Sequence, residues 1–430
     1  MYSDSKRSKI GRRSFLSGAA AAGTTSVLSA SSYARVIGAN DRISIGVIGC
    51  GGRGNDLMKQ MLPFKDAENF TINAVCDVWK TNRNKGGIWV KNNFGRRPKM
   101  YSRYSDMIEN NDVDAVMITS PDHTHCPILI EASDMGKDVL VEKPLAMHMD
   151  EARAAVDTVR KNKTICQVGT QRRSDGRYMS AAKYIQGGNL GKVISADLKW
   201  NDNSPRWNKD FSDVKAEDLD WEGFLINAEK RPFDPRRYRS WHLYRDYSLG
   251  PIAVLGAHLT DLISWYLETG CPEKAVAFGD RIVWKDREQY DTIIATFKYP
   301  NFIATCEHRL GNGSMRSEAV FYGTQGTLTA TEISTEGRVD PKRIAATGDI
   351  FVNSPLAATE DGEKKVTIES DPKNIHHCVD WIRAMRERRD PNATVEDGYI
   401  HSVVSMMGQW AAEKGKCLAY DETIKDIVEA

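Results

Sequence analysis

The chain has 430 residues, which is long enough for two domains. Hydrophobic residues make up 41% and charged residues 27%, with a formal net charge of +1, so a nucleic-acid-binding protein with a broadly basic surface is not favoured. No stretch of about 18 uninterrupted apolar residues occurs, so we expect no membrane span.

The N-terminal residues have the pattern of an export signal. Lys6, Arg7 and Lys9 precede residues 12–16 (RRSFL), and a weakly apolar segment rich in Ala, Gly and Ser follows. This pattern resembles a twin-arginine signal, whose pathway exports proteins that have already folded. A basic tail without a targeting role is the alternative. We predict a leader over residues 1–35 and a periplasmic location, and we leave this leader out of the fold.

A glycine motif then follows the first predicted strand. The apolar run ISIGVIG over residues 43–49 is typical of a buried parallel strand, and NDLMKQML after the glycines is helix-like. In this context G-x-G-x-x-G provides a tight turn, a close approach of backbone amides to a pyrophosphate, and close helix packing. The predicted phosphate-binding loop consists of Gly49, Gly51, Gly52, Arg53 and Gly54.

The second predicted strand, FTINAVCDV, ends at Asp77. Its offset of about 20 residues from the glycine motif is the one expected for a carboxylate that binds a ribose diol. A carboxylate would repel a 2′-phosphate, which favours NAD over NADP. Lys80 and Arg83 nearby keep NADP as the alternative. A helix N-cap or a solvated turn is the structural alternative for Asp77.

The rest of the chain divides into two patterns. Strand-like and helix-like segments alternate up to TICQVG, which predicts a doubly wound parallel sheet over residues 36–165. From Lys192 the strand-like runs KVISADLKW, AVAFGDRIVW, DTIIATFKY and NFIATCEHR follow one another, and helices are predicted over residues 375–415. We therefore predict an α/β fold with a Rossmann domain and an α+β domain over residues 166–430.

The eight cysteines show neither a CxxC pair nor a His/Cys spacing suited to zinc. Several lie in apolar, strand-like surroundings, such as Cys76 and Cys166. We interpret the cysteines as small buried hydrophobic residues and predict no disulfide and no metal site.

The loop TSPDHTH at residues 119–125 and the EKP segment at residues 142–144, together with the glycine motif, resemble the Gfo/Idh/MocA oxidoreductases. The later segment GAHLTDLISWYL and the C-terminal helical region share this resemblance. It implies NAD(P)-dependent chemistry on sugars or polyols, a large open and mainly antiparallel second sheet, and pairing of subunits through that sheet. It also implies further residues beside the cofactor: Ser120, Pro121, His123, His125, Glu142, Lys143 and Gln171.

Lys143 and His258 are the candidate catalytic residues. Lys143 follows a buried strand, and beside a positively charged nicotinamide both desolvation and like charge favour its neutral amine. In the family the matching lysine contacts the substrate hydroxyl. His258 begins the predicted helix AHLTDLISWYL, where a neutral imidazole suits proton removal from a carbinol. A solvated lysine and a structural histidine are the alternatives.

Many relatives carry Asp four residues before this histidine, whereas Val254 stands here. Asp246 and Tyr247 are the candidates to replace that carboxylate. Aromatic faces and polar groups suit a sugar ring, although core packing is the alternative for any single Trp. The predicted substrate-binding residues are Arg172, Tyr238, Trp241, Asp246, Tyr247 and Asp261.

Outside the cytoplasm no NAD pool replaces a cofactor that dissociates. We therefore expect tightly bound NAD that is regenerated within each cycle. One route oxidises a sugar hydroxyl, for example to a 3-keto sugar, and then reduces a second carbonyl compound by ping-pong exchange. One alternative is a glycosidase that works by transient C3 oxidation, elimination and reduction. Another is a binding or scaffold protein that retains the fold without catalysis.

Overall fold

The computed structural model describes residues 41–204, 207, 209–314, 317–332, 349–352, 364–366 and 370–430. The predicted leader over residues 1–35 lies outside these residues. Residues 43–430 form one unit in which two sheets lie.

The first sheet has six parallel strands in the order β3-β2-β1-β4-β5-β6, which confirms the predicted doubly wound sheet. Its apolar strands are buried, as expected when helices cover both faces. The elements of this part are β1 (Ile43–Ile48), α1 (Gly52–Met61), β2 (Phe70–Cys76), α2 (Lys80–Phe94), β3 (Lys99–Tyr101), α3 (Tyr104–Ile108), β4 (Ala115–Ile118), α4 (His125–Asp134), β5 (Asp138–Val141), α5 (Met149–Asn162) and β6 (Cys166–Val168).

Within the residues that the structure describes, the second sheet has ten strands in the order β14-β13-β12-β11-β7-β10-β9-β8-β15-β16. All of its neighbouring pairs with a described register are antiparallel except β7 and β10, so the predicted open, mainly antiparallel sheet is confirmed. The elements of this part are α6 (Gly176–Gln186), β7 (Val193–Asn201), α7 (Trp221–Leu225), α8 (Pro235–Arg239), α9 (Pro251–Val254), α10 (Ala257–Tyr266), β8 (Lys274–Asp280), β9 (Thr292–Lys298), β10 (Ile303–Arg309), β11 (Ser317–Gly323), β12 (Thr327–Glu332), β13 (Asp349–Val352), β14 (Lys364–Val366), α11 (His377–Glu387), α12 (Val395–Lys414), β15 (Leu418–Asp421) and β16 (Asp426–Glu429).

The boundary between the two parts differs from the predicted one. β6 pairs with β5 and completes the parallel sheet, so this sheet extends past residue 165. Helix α11 also belongs to the core of the parallel sheet, because Trp381 and Ile382 pack in one cluster with Ile45 and Val47. The part that contains the parallel sheet is therefore built from two separate stretches of the chain.

The predicted strand AVAFGDRIVW ends early, at Asp280. The buried carboxylate of Asp291 accepts the backbone N–H groups of Ile282, Val283 and Trp284 at 2.8 to 3.0 Å. Because these N–H groups bind the carboxylate, they do not form hydrogen bonds with a neighbouring strand. The chain therefore turns instead of continuing as a strand.

All eight cysteines are free, and six of them are buried, which confirms their interpretation as hydrophobic residues. In the part of the chain that the structure describes, no helix is long and apolar enough to span a bilayer. Within the same residues, no group of three or more His, Cys, Asp or Glu side chains is arranged to bind a metal ion.

Candidate active site

A cleft of about 930 Å³ lies at the carboxyl ends of the parallel strands. Residues that follow β1, β2, β4 and β5 form one side, and residues 200–258 contribute to the other. Ligands of open α/β sheets bind in this position.

The glycine motif after β1 is tightly packed at its first and last glycines, Gly49 and Gly54. Gly49 has a φ of +92°, and a Cβ there would lie 2.7 Å from the backbone nitrogen of Ser120. A Cβ on Gly54 would lie 2.0 Å from the carbonyl oxygen of Gly49. A loop packed this closely before a helix N-terminus fits the pyrophosphate of a dinucleotide.

Asp77 lies immediately after β2 at the edge of the cleft. Its carboxylate accepts the N–H groups of Cys50 at 2.7 Å and Trp79 at 2.8 Å, so it also fixes the glycine loop. Burial raises the pKa of Asp77 to about 6, although these hydrogen bonds oppose the shift. The position fits a ribose diol, and the guanidinium of Arg83 donates to the backbone oxygen of Asp77 at 2.6 Å.

Glu142 and Lys143 follow β5, where the backbone enters a cis bond to Pro144. Arg53 donates to Glu142 across a distance of 2.5 Å. Burial opposes the charge of Glu142, but Arg53 and Lys143 together hold its pKa below the ordinary value. The glycine loop is thereby tied to the EKP segment by an ion pair.

The ammonium group of Lys143 donates to the backbone oxygen of Val254 at 2.6 Å. Position 254 therefore contacts the lysine through its main chain, although it has no carboxylate. This contact brings the end of helix α9 beside the EKP segment, and both residues line the cleft.

His258 is the second residue of α10 and also lines the cleft. Its ring lies 5.8 Å from that of Trp200, and its buried Nδ1 has no hydrogen-bond partner among the described residues. Burial, and then the positive charges of Lys143 and Arg172, lowers the pKa of His258 well below its ordinary value. The imidazole is therefore neutral at physiological pH and able to accept a proton.

Asp122 also lines the cleft, and sequence reasoning assigned it no role. Its buried carboxylate accepts a hydrogen bond from Ser248 at 2.8 Å. Burial raises the pKa of Asp122 to about 7, although Lys143 and Ser248 oppose the shift. A titratable carboxyl group is therefore present near Lys143, but the loop after β4 provides it instead of position 254. In the sequence, only its place within TSPDHTH could have indicated that Asp122 belongs to the site.

Most of the residues predicted to bind the cofactor line the cleft: Gly49, Gly51, Gly52, Arg53, Asp77, Ser120, Pro121, His125, Glu142, Lys143 and Gln171. Gly54 packs behind the loop instead. His123 lies outside the lining, because its Nε2 is 2.8 Å from the carbonyl oxygen of Phe224 and its ring packs on Phe224 and Tyr247. Burial lowers the pKa of His123 to about 4.

Of the predicted substrate-binding residues, the structure brings Tyr238 and Trp241 into the cleft. Arg172 lies behind it, where it donates to Ser317 at 2.9 Å and lies over the rings of Tyr178 and Trp200. Its placement indicates support of the cleft wall rather than direct contact with a ligand.

The three remaining predicted residues do not line the cleft. Asp261 is 0% exposed and pairs with Arg173 at 2.9 Å, since a buried carboxylate needs a counter-charge. Asp246 pairs with Arg231 at 2.6 Å, so it does not replace the carboxylate missing at position 254. Tyr247 is fully buried, with its ring against that of Phe224.

Two sequence models match the chain. The model described as the oxidoreductase family with an NAD-binding Rossmann fold matches residues 43–170, and the C-terminal domain model of the same family matches residues 224–329. Together they match more than half of the chain. The chain belongs to the Gfo/Idh/MocA family. The first model spans Gly49, Asp77 and Lys143, which confirms the prediction of an NAD-binding Rossmann domain in this Gfo/Idh/MocA protein.

Curated proteins similar to this Gfo/Idh/MocA chain include several dehydrogenases. The scyllo-inositol 2-dehydrogenase (NAD(+)) of Bacillus subtilis is 40% identical over 89 residues, which are 21% of this chain and 26% of that protein. The inositol 2-dehydrogenase of Rubrobacter xylanophilus is 33% identical over 36% of this chain and 43% of its own length. A glycosyl hydrolase family 109 protein of Shewanella baltica is 24% identical over 57% of this chain and 54% of its length. The matched regions thus span between a quarter and just over half of the length of each of these relatives.

A solved structure of levoglucosan dehydrogenase, in complex with NADH and levoglucosan, superimposes with a TM-score of 0.65 at 18% identity. The superposition covers 88% of this chain and 99% of the levoglucosan dehydrogenase chain. The WlbA dehydrogenase of Bordetella pertussis, in complex with NADH and UDP-GlcNAcA, gives 0.64 at 16% identity. These likenesses show that the Gfo/Idh/MocA chain shares their fold.

Proposed function

We propose that the protein is an NAD-dependent oxidoreductase that acts on a CH–OH group of a sugar, glycoside or polyol. The observation that carries this proposal is the placement of Lys143 and His258 in the same cleft as the glycine loop and Asp77. The inositol and levoglucosan dehydrogenases among the similar proteins support the substrate class.

NAD, when bound, supplies the acceptor and donor of a hydride. The neutral imidazole of His258 accepts the proton of the substrate hydroxyl, and the amine of Lys143 binds the oxygen of that hydroxyl. Trp200 and Trp241 line the same cleft and offer flat apolar surfaces to the CH groups of a sugar ring. The protein would thus orient a polyol and remove its proton.

The predicted export signal adds a second part to the proposal. An exported enzyme keeps its NAD as a tightly bound group and returns it to its starting state in each cycle. We expect the purified mature protein to contain about one nucleotide per chain, as measured by absorbance and by mass spectrometry after denaturation. A preparation free of nucleotide that also fails to bind added NAD would contradict the proposal.

The similarity to glycosyl hydrolase family 109 proteins favours a second candidate, an NAD-dependent glycosidase. Incubation with glycosides, without added NAD, separates the two. A keto sugar with stoichiometric NADH indicates oxidation, whereas a free reducing sugar without net NADH indicates cleavage. If a broad panel of sugars gives neither product, the results favour a scaffold protein that has kept the fold without catalysis.

We also propose that the protein forms a homo-oligomer through the outer face of the second sheet. Val276 and Phe278 of β8, Ile294 of β9 and Ile303 of β10 share this face and are exposed. An exposed apolar patch of this kind marks an interaction surface. Light scattering after size-exclusion chromatography should show an oligomer, which Phe278→Lys converts to monomer. A monomeric wild-type protein would overturn this assignment.

A further inference from the structure

Residues 214–239 form a segment that we call the strap, and nothing in the sequence marked it as part of a nucleotide site. It belongs to the second half of the chain, yet it contacts two loops of the parallel sheet. Its helices are α7 and α8.

The first contact is with the residues that follow β2. The backbone N–H of Asp220 donates to the oxygen of Val78 at 3.0 Å, and Trp79 and Leu219 form an isolated antiparallel bridge. The indole of Trp79 is buried in a small cluster with Leu219 and Val214. This side of the strap is therefore attached by main-chain bonds and by apolar packing.

The same loop is also covered from α8. The guanidinium of Arg239 lies 5.2 Å from the ring centre of Trp79, and the ring of Tyr238 meets that of Trp79 edge-on at 6.0 Å. Such contacts add attraction beyond the buried area.

The second contact is with the loop that follows β4. The Nε2 of His123 lies 2.8 Å from the backbone oxygen of Phe224, and the two rings are 5.2 Å apart. This contact explains why His123 is buried away from the cleft.

The two contacts lie on opposite sides of the glycine loop. In the sheet, β1 lies between β2 and β4, and the glycine loop follows β1. The strap reaches the β2 side at Leu219 and the β4 side at Phe224, so these residues pass across the carboxyl end of β1. Strap residues also line the cleft together with Asp77: Asp220, Glu222, Gly223, Phe224, Tyr238 and Arg239.

We propose that the strap forms the outer wall of the dinucleotide site, and that it has to detach from the loops after β2 and β4 before the nucleotide leaves. The inference rests on the proposed function, because it explains how NAD would be retained. It also assigns Tyr238 to the ribose end of the cleft, beside Asp77, instead of to the substrate.

The test weakens each contact separately and measures nucleotide exchange. Leu219→Ala removes packing against Trp79, and His123→Phe removes the bond to Phe224 while it keeps an aromatic ring. Leu418→Ala serves as the control, because Leu418 is also a buried leucine but lies in β15, outside the cleft lining. Labelled NAD is bound to each purified full-length protein, and its release into excess unlabelled NAD is followed.

We expect release to become about tenfold faster or more in both strap variants, which corresponds to about 1.4 kcal/mol, and association to accelerate as well. The double variant should exceed either single variant. Unchanged release in folded variants, or an equal acceleration in Leu418→Ala, would overturn the role of the strap. Wild-type protein that binds no NAD at all would instead overturn the proposed function, so the two failures are distinguishable.

Discussion

Replacing Lys143 by alanine is expected to lower kcat by about 100- to 10,000-fold, while the purified protein still contains its nucleotide. The amine lies in the cleft and is positioned by the backbone oxygen of Val254, so its removal leaves the substrate oxygen without this donor. The glycine loop and Asp77 do not depend on the amine, and NAD binding should remain. Single-turnover measurements of NADH absorbance with a sugar substrate would check this result.

Lys143→Arg provides the matched comparison. Arginine keeps the positive charge but does not give up its proton, and its planar head has a different shape. If only charge at this position matters, the arginine variant should recover most of the activity. We expect it to remain as inactive as the alanine variant, and normal turnover in either variant would contradict the assigned role.

Replacing His258 by glutamine is expected to lower kcat/KM for oxidation by about 100- to 10,000-fold. Glutamine keeps a polar side chain at the start of α10 but does not accept a proton near neutral pH. Nucleotide content and thermal stability should stay close to those of the wild type. Activity near the wild-type value would show that another group removes the proton.

The pH dependence of kcat/KM identifies the group that removes the proton. Burial and the charges of Lys143, Arg172 and Arg53 lower the pKa of His258, so the base is lost only at a pH well below about 6.5. Wild-type kcat/KM should therefore stay flat through pH 6.5 and fall only in more acidic solution. A fall near pH 7 would point to Asp122, whose pKa burial raises to about 7, and Asp122→Asn would then remove it.

Local sequence patterns were sufficient to predict several features of the fold and the placement of part of the site. The glycine motif, the EKP segment and the helix that carries His258 each depend on neighbours within one or two elements. The apolar runs likewise predicted the strands of the parallel sheet. The strands and the glycine motif depend on backbone geometry and periodicity, which a single sequence displays directly. The roles of the EKP segment and of His258 also rested on the resemblance to the Gfo/Idh/MocA family.

Features that depend on distant partners could not be predicted in this way. Asp122 and Ser248 are 126 residues apart, and Arg173 is separated from Asp261 by 88 residues. The sequence alone does not distinguish an aspartate that pairs with a buried arginine from one that contacts a substrate. The early end of β8 has the same origin, because Asp291 binds amides that the strand pattern had assigned to a ladder.

The return of α11 to the parallel sheet affects how this protein can be divided. The apolar side chains of Trp381 and Ile382 cover one face of strands that lie more than 200 residues earlier in the sequence. A fragment cut at the end of β6 would leave that face uncovered to water. Exchange of the cofactor-binding half with that of a homologue therefore requires two gene segments to be transplanted together.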